Sequence, residues 1–161
     1  MDLDPSVLEL TLPPRWEAVR AVWDASRSIL ERSGLADHEA YALAMVAQEL
    51  LENAVKYGAE EDGITLSVRV GPDRVTVEVR SRMGVDGGNL RAFGDAVRRI
   101  RDCPDTFGAY VERLQQAVAR APGPSELGLA RIAYEGNCAL DFRIDGGTLA
   151  VLAVYERGGS G

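Results

Sequence analysis

The sequence predicts a single α/β domain, an α+β two-layer sandwich in which a mixed, mostly antiparallel sheet is covered on one face by helices. Three observations predict it. Two segments alternate apolar and polar residues on either side of a tight turn, as hairpins do. In the first, Ile64, Leu66, Val68 and Val70 lead through Gly71-Pro72-Asp73-Arg74 to Val75, Val77 and Val79; in the second, Leu140, Phe142 and Ile144 lead through Asp145-Gly146-Gly147 to Leu149–Val154. The run Tyr41–Val55 is apolar nearly all round, which marks a helix buried on most of its sides. The order of elements is strand, two helices, hairpin, helix-rich insert, helix and hairpin, and this order suits helices laid over one face of a sheet.

Each element has its own signal. Val7–Leu12 is a short strand closed by Pro13-Pro14, and a helix begins at Arg15. Its apolar stripe is Trp16, Val19, Val22, Trp23, Ile29 and Leu30, with Glu17, Arg20, Asp24 and Arg27 elsewhere; Ser33-Gly34 stops it. Both tryptophans are assigned to packing. Asp37 is the expected N-cap of the second helix, which runs to about Tyr57 and ends at Gly58. The insert holds a glycine-rich stretch from Gly84 to Gly88, helical patterns over Leu90–Arg101 and Thr106–Ala121, and the breaker Pro122-Gly123-Pro124. With its glycines and its breaker it is expected to be the mobile part. A short helix over Leu127–Tyr134 stops at Gly136-Asn137. The last strand is apolar on both faces and is expected inside the sheet. Residues 1–156 form the domain, and 157–161, rich in glycine, are expected to be a disordered tail.

Composition narrows the function. The chain has 161 residues, 46% hydrophobic and 27% charged, the balance of one globular domain. A net charge of −7 lacks the positive field that nucleic acid or an anionic membrane needs. Arg98, Arg99 and Arg101 cluster, and read as a solvated helix face. The amino terminus carries no basic and apolar signal pattern, and the longest apolar stretch, Ala40–Ala47, is too short to span a bilayer, so a cytoplasmic location is expected. Cys103 and Cys138 have no motif spacing and His38 is the only histidine, so zinc sites and histidine triads are poor expectations.

The second helix carries the chemistry. Glu49, Glu52, Asn53 and Lys56 stand at i, i+3, i+4 and i+7 and share one stripe on an otherwise apolar helix. On spacing alone this is a wet face, with Glu52 and Lys56 an ion pair. The sequence Gln48-Glu49-Leu50-Leu51-Glu52-Asn53-Ala54-Val55-Lys56-Tyr57-Gly58 resembles the E-x-x-x-N-A box of the histidine-kinase-like ATPases, the GHKL or Bergerat-fold family. The later order, with a hairpin, a glycine turn, a helical lid, a G-x-G-L-like helix start at Gly128 and Leu129 and a final hairpin, follows the same family. Compactness and the strand before two helices resemble its anti-sigma-factor serine kinases, and the long insert before Leu127-Gly128-Leu129-Ala130-Arg131-Ile132-Ala133 resembles their SiaB-type partner-switching branch.

The resemblance implies ATP and Mg²⁺ as cofactors, Asn53 as metal ligand and Glu49 as the base acting on an acceptor hydroxyl. It implies a small regulatory protein, of antagonist or sigma-factor type, as partner, and it allows a homodimer. Two positions depart from the pattern. Where the family has an aspartate that accepts from the adenine amino group, this chain has Ser81, followed by Gly84; Asp86 with Gly87 a few residues later is the alternative, a shifted box. Where the family has the first glycine of the phosphate-binding helix start, this chain has Glu126 and keeps Gly128. Two readings therefore stand: a kinase that phosphorylates a serine or threonine of a small antagonist protein, or a non-catalytic module of the same fold that sequesters a partner.

Overall fold

The computed structural model describes residues 6–13, 16–57, 63–82, 94–95, 97–102, 108, 126–145 and 147–157. Five strands, β1 (Ser6–Leu12), β2 (Ile64–Val70), β3 (Arg74–Arg82), β4 (Ala139–Asp145) and β5 (Thr148–Glu156), form one sheet in the order β1-β2-β3-β5-β4. All its pairings are antiparallel, so the expected mixed sheet is antiparallel throughout the described residues. The doubly apolar β5 lies inside the sheet, as its composition requires, between β3 and β4.

Alternation fixes which face is buried. The rows Leu10–Leu66–Val79–Val151–Phe142 and Leu8–Val68–Val77–Ala153–Leu140 run across all five strands on one side. Helices α1 (Trp16–Arg32), α2 (Asp37–Tyr57) and α3 (Glu126–Tyr134) cover that side. α2 crosses β2 and β3, α1 packs on α2 and β1, and α3 packs on α2 and β4. The other face carries Thr65, Ser67, Arg69, Thr76 and Glu78; Glu78 is bridged by Arg143 at 3.0 Å and Arg80 at 3.6 Å. Such exposed pairs contribute little stability, and the inner rows hold the sheet.

Helix ends show how the chain turns. α1 stops with Gly34 at φ +88°, a left-handed geometry that suits glycine. Asp37 is not the cap of α2. The Ala36 carbonyl accepts the first helical bond from the Ala40 N–H at 2.9 Å, and the Glu39 carboxylate reaches back to accept from the Ala36 N–H at 3.0 Å. Ala36 is thus the capping residue, and Glu39 supplies the side-chain half of a capping box. After α3, Asn137 takes the left-handed conformation at φ 52°, while Gly136 fills a close approach: a Cβ there would meet Val46 Cγ2 at 2.5 Å and the Ile132 carbonyl at 2.6 Å.

Part of the insert is packed. Residues 97–101 are helical, Val97 and Ile100 are buried, and the Arg98 guanidinium lies 5.1 Å from the Phe142 ring centre. Arg101 bridges Asp141 at 3.1 Å. Two arginines of the expected solvated face therefore fasten this helix to edge strand β4, and the expectation of a mobile insert does not extend to it. Gly84–Gly88, Thr106–Ala121 and the Pro122-Gly123-Pro124 breaker lie outside the described residues, as does Gly58. The carboxyl end is fixed through Arg157, assigned above to a disordered tail: its N–H donates to the Asp73 carbonyl and its guanidinium to the Gly71 carbonyl, each at 2.8 Å. Residues 158–161 lie outside the described residues.

Candidate functional site

α2 places its polar residues in two recesses. Leu50, Asn53 and Ala54 of the helix face Val79 and Ser81 of β3 and Leu149 and Val151 of β5, and together these residues line a small recess above the sheet. Asn53 and Ser81 are its polar side chains; the rest are aliphatic. The recess holds about 10 Å³, roughly the space of one water. Asn53 is 7% exposed and Ser81 6%.

The polar groups here are under-used. Among the described residues the buried Asn53 amide nitrogen has no hydrogen-bond partner. An orphaned buried donor costs about 1–3 kcal/mol, so a chain under no other demand would place an apolar residue there. Ser81 ends the inner row of β3, opposite Leu149, in a register position where Val75, Val77 and Val79 precede it. Alternation alone calls for a further aliphatic residue at that position, and serine breaks it. Both anomalies point into one recess.

Glu49, one helical turn before Asn53, opens elsewhere. With Tyr41, Met45 and Gln48 of α2, Trp23 of α1 and Arg131 of α3 it lines a second, wider recess on the side of α2 away from the sheet. The Arg131 Nη1 donates to Glu49 Oε1 at 3.2 Å, and the Arg131 Nε donates to Glu135 at 2.8 Å. Trp23 meets Tyr41 edge-on, ring centres 5.0 Å apart and planes at 84°. Trp23 packs as expected, and it also walls the recess that holds Glu49.

The expected stripe is therefore divided. Asn53 and Ser81 share the inner recess and Glu49 shares the outer one with Arg131. Glu52 is bonded to Gln48 at 3.5 Å, and the Lys56 side chain lies outside the described residues. Gly128 falls in the first turn of α3, whose first residue is Glu126, while Leu129 is 2% exposed and belongs to the core. Gly84, Asp86 and the Glu126 side chain lie outside the described residues. Sequence reasoning missed Arg131, whose signal was weak: a single basic residue inside an apolar helical heptad. Cys138 carries no chemistry here, because burial pushes its thiol up to about 12.

These residues can be tested against a nucleotide and its metal. Among the described residues no group of three or more His, Cys, Asp or Glu side chains could hold a metal ion. Mg²⁺ commonly takes one or two protein ligands and completes its shell with phosphate and water oxygens, so a single amide oxygen suffices. A half-turn of the Asn53 amide exchanges its oxygen and nitrogen, so the side chain can offer either. Asn53 fits the metal role; Ser81 fits a hydrogen bond to a base but lacks the charge of a carboxylate.

The sheet order, the buried α2 and the recess around Asn53 define a class, and the comparison of sequences agrees: the chain belongs to the histidine kinase-like ATPase domain family, whose pattern matches residues 12–134. Among curated proteins no match is found. Solved structures give the particular likeness. A chain of the SiaB–SiaC complex from Pseudomonas aeruginosa superposes with a TM-score of 0.67 at 17% identity, over 94% of this chain and 91% of that one. The RsbU and RsbW domains of Rv1364c from Mycobacterium tuberculosis match with a TM-score of 0.54 at 16% identity, over 92% of this chain but only 32% of that longer one. At these identities the shared property is the fold. No helix among the described residues is long and apolar enough to cross a membrane.

Proposed function

We propose that this protein is a cytoplasmic partner-switching regulator that binds ATP with Mg²⁺ in the recess between α2 and the sheet and transfers the γ-phosphoryl group to a serine or threonine of a small antagonist protein. The observation that carries the reading is Asn53: an amide nitrogen buried without a partner among the described residues, on the helix that the family uses for metal and phosphate, facing Ser81 across an aliphatic slot. A ligand there would satisfy the Asn53 amide nitrogen, which the described residues leave unpaired.

In this reading Asn53 holds Mg²⁺, which neutralises charge on the phosphates when bound. Ser81, with Gly84 and Asp86 beyond it, meets the base, and Gly128 with Leu129 starts the helix whose N-terminus faces the phosphates. Glu49 takes the proton of the acceptor hydroxyl; the hydroxyl oxygen bonds to the γ-phosphorus as the bond to the β,γ-bridging oxygen breaks, and ADP leaves with the electron pair. Glu49 opens into the outer recess with its Oε1 engaged by Arg131, so transfer requires its carboxylate to leave that contact and turn towards the inner recess. That engagement also supports a second reading, a partner-sequestering module that binds nucleotide weakly and does no chemistry.

Titration with an ATP analogue, with and without Mg²⁺, tests the first reading. Asn53→Ala is expected to remove the Mg²⁺-dependent part of the affinity, by about tenfold or more, while Glu49→Ala keeps binding and abolishes phosphoryl transfer. Equal loss of binding in both variants contradicts the assigned roles. Mg²⁺-dependent binding without transfer to any protein from the same cell moves the second reading ahead.

A further inference from the structure

The outer recess is a groove in the helical layer: α2 supplies its floor, Trp23 of α1 stands on one side and Arg131 of α3 on the other. It holds about 280 Å³, just under the roughly 300 Å³ at which small-molecule sites begin, so it suits one long side chain. Both of its aromatic rings reach water. Tyr41 is 57% exposed, the most exposed of the large apolar side chains among the described residues, and Trp23 is half-buried. The rings stand at 84° to each other, so they form a corner and not a stack, and a corner leaves ring face open to a third group. The charge of the recess is one-sided. Arg131 is bonded to Glu49 at 3.2 Å and to Glu135 at 2.8 Å, and Gln48 reaches Glu52 at 3.5 Å. Among the described side chains three carboxylates thus surround one guanidinium, a surplus of two negative charges. α1 does not offset it: Arg20 and Arg27 stand beside Asp24 and Glu31, and Arg27 is bonded to Glu31 at 2.7 Å.

We infer that the outer recess is a docking point for a basic side chain, an arginine or a lysine, presented by the protein partner. The inference deepens the partner half of the reading above and takes from it only that a protein partner exists. A cation set over an indole or phenol face is attracted by the negative face of the ring, and the surplus of carboxylates beside Trp23 and Tyr41 adds to that attraction. Tryptophan, tyrosine and arginine are also the residue types that dominate binding energy at protein interfaces. Other occupants fit the groove less well. An acidic segment, or a second copy of this chain, brings the wrong sign to a protein that already carries −7. A wholly apolar segment would strip water from the carboxylates and give nothing in exchange.

Tryptophan fluorescence of the full chain tests this without nucleotide. Trp23 is one of two tryptophans, and Trp16→Phe leaves its emission alone; the wild type gives the same ordering of probes should that variant not fold. The probes are capped tripeptides with a central arginine, citrulline or glutamate, citrulline keeping the shape of arginine without its charge. The arginine tripeptide is expected to change Trp23 emission saturably with a Kd of about 1–10 mM, and citrulline to bind about tenfold more weakly or less. Raising salt from about 0.05 to 0.5 M should weaken arginine binding by about three- to tenfold. Tyr41→Ala and Glu49→Gln should each weaken it by about threefold or more, whereas Arg131→Gln should tighten it, because a like charge is gone. Near-ultraviolet circular dichroism checks that each variant is folded. Equal binding of arginine and citrulline overturns the inference, since the recess then does not read charge, and so does the lack of any saturable change with arginine. A preference for glutamate that is lost in Arg131→Gln assigns the recess to an acidic partner and likewise overturns it. Since ATP enters none of these measurements, the nucleotide titration given above stands or falls separately.

Discussion

The two recesses beside α2 are opposites. Among the described residues the inner one is small, aliphatic and neutral, and holds an amide nitrogen with no partner. The outer one is open, aromatic and charged, and its carboxylate and guanidinium bond to each other. A polar group that the fold satisfies is explained by the fold. A polar group that the fold buries and leaves unsatisfied needs another cause, and a ligand is one such cause. Asn53 and Glu49, neighbours on one helix and joined by one sequence motif, therefore stand under different constraints: stability argues against Asn53 and in favour of the Glu49–Arg131 contact.

The largest expected effect comes from crowding the contact between α2 and the turn that follows α3. In Gly136→Ala the new methyl meets Val46 Cγ2 of α2 at 2.5 Å on one side and the Ile132 carbonyl of α3 at 2.6 Å on the other, so the turn and α3 must shift against α2. A loss of about 2–3 kcal/mol in denaturant unfolding is expected, in the upper range for overpacking. A variant as stable as the wild type would show that α3 is not held against α2 at this point.

A smaller effect, opposite in sign on the two sides, separates the recesses directly. Leucine has nearly the branching of asparagine, so Asn53→Leu replaces an orphaned amide by an aliphatic group among aliphatic walls. It is expected to raise stability by about 1–2 kcal/mol while Mg²⁺-dependent binding disappears. Glu49→Leu is expected to lower stability by about 1 kcal/mol, because a partly exposed guanidinium loses its carboxylate. Thermal unfolding of both variants decides: a loss in both removes the contrast.

The smallest effect is a control that touches neither recess. The Tyr155 hydroxyl donates to the Glu39 carboxylate at 2.6 Å, joining β5 to the start of α2. This bond lowers Glu39 from its ordinary value, assisted by the Ala36 N–H, and it raises Tyr155 to about 12. A lowered carboxyl contributes stability above its unfolded pKa and loses it as pH falls through the folded value; a raised phenol contributes below about 10 and loses it as pH rises towards 12. Tyr155→Phe is therefore expected to cost about 1 kcal/mol at neutral pH. The cost should shrink below pH about 4 and again above about 10, and a cost that is flat from pH 3 to 11 would assign it to packing alone.

What was legible in the sequence follows the range of the interactions involved. The strands were legible because alternation is written within each segment, and β5 because an apolar run on both faces has one place to go. The N-cap of α2 was misassigned because the side chain that completes it, Glu39, stands three residues inside the helix and Asp37 offered a simpler signal. Asn53 and Ser81 were singled out through the family box and the strand that follows it, and the fold sets both at one recess. The partner of Glu49 could not be read: Arg131 lies 82 residues away, and only the docking of α3 on α2 brings it near. Gly136 read as a helix stop, and its closeness to Val46 is a property of two helices that no local pattern encodes.

The position of β5 has a kinetic consequence. β5 is the last strand of the sheet to be made, yet it pairs along nine positions with β3, the middle strand of the sheet, and among the described residues it is the strand that pairs β4 to the rest of the sheet. While the chain is being made, β1, β2 and β3 can form an antiparallel ribbon whose open edge is a run of alternating valines. Such an edge is a template for pairing with another copy of itself. The domain therefore cannot mature from its amino-terminal half outward; its sheet is sealed by a late insertion that joins segments about seventy residues apart, an order of events that slows folding and exposes the nascent valine edge to self-association until β5 has been made.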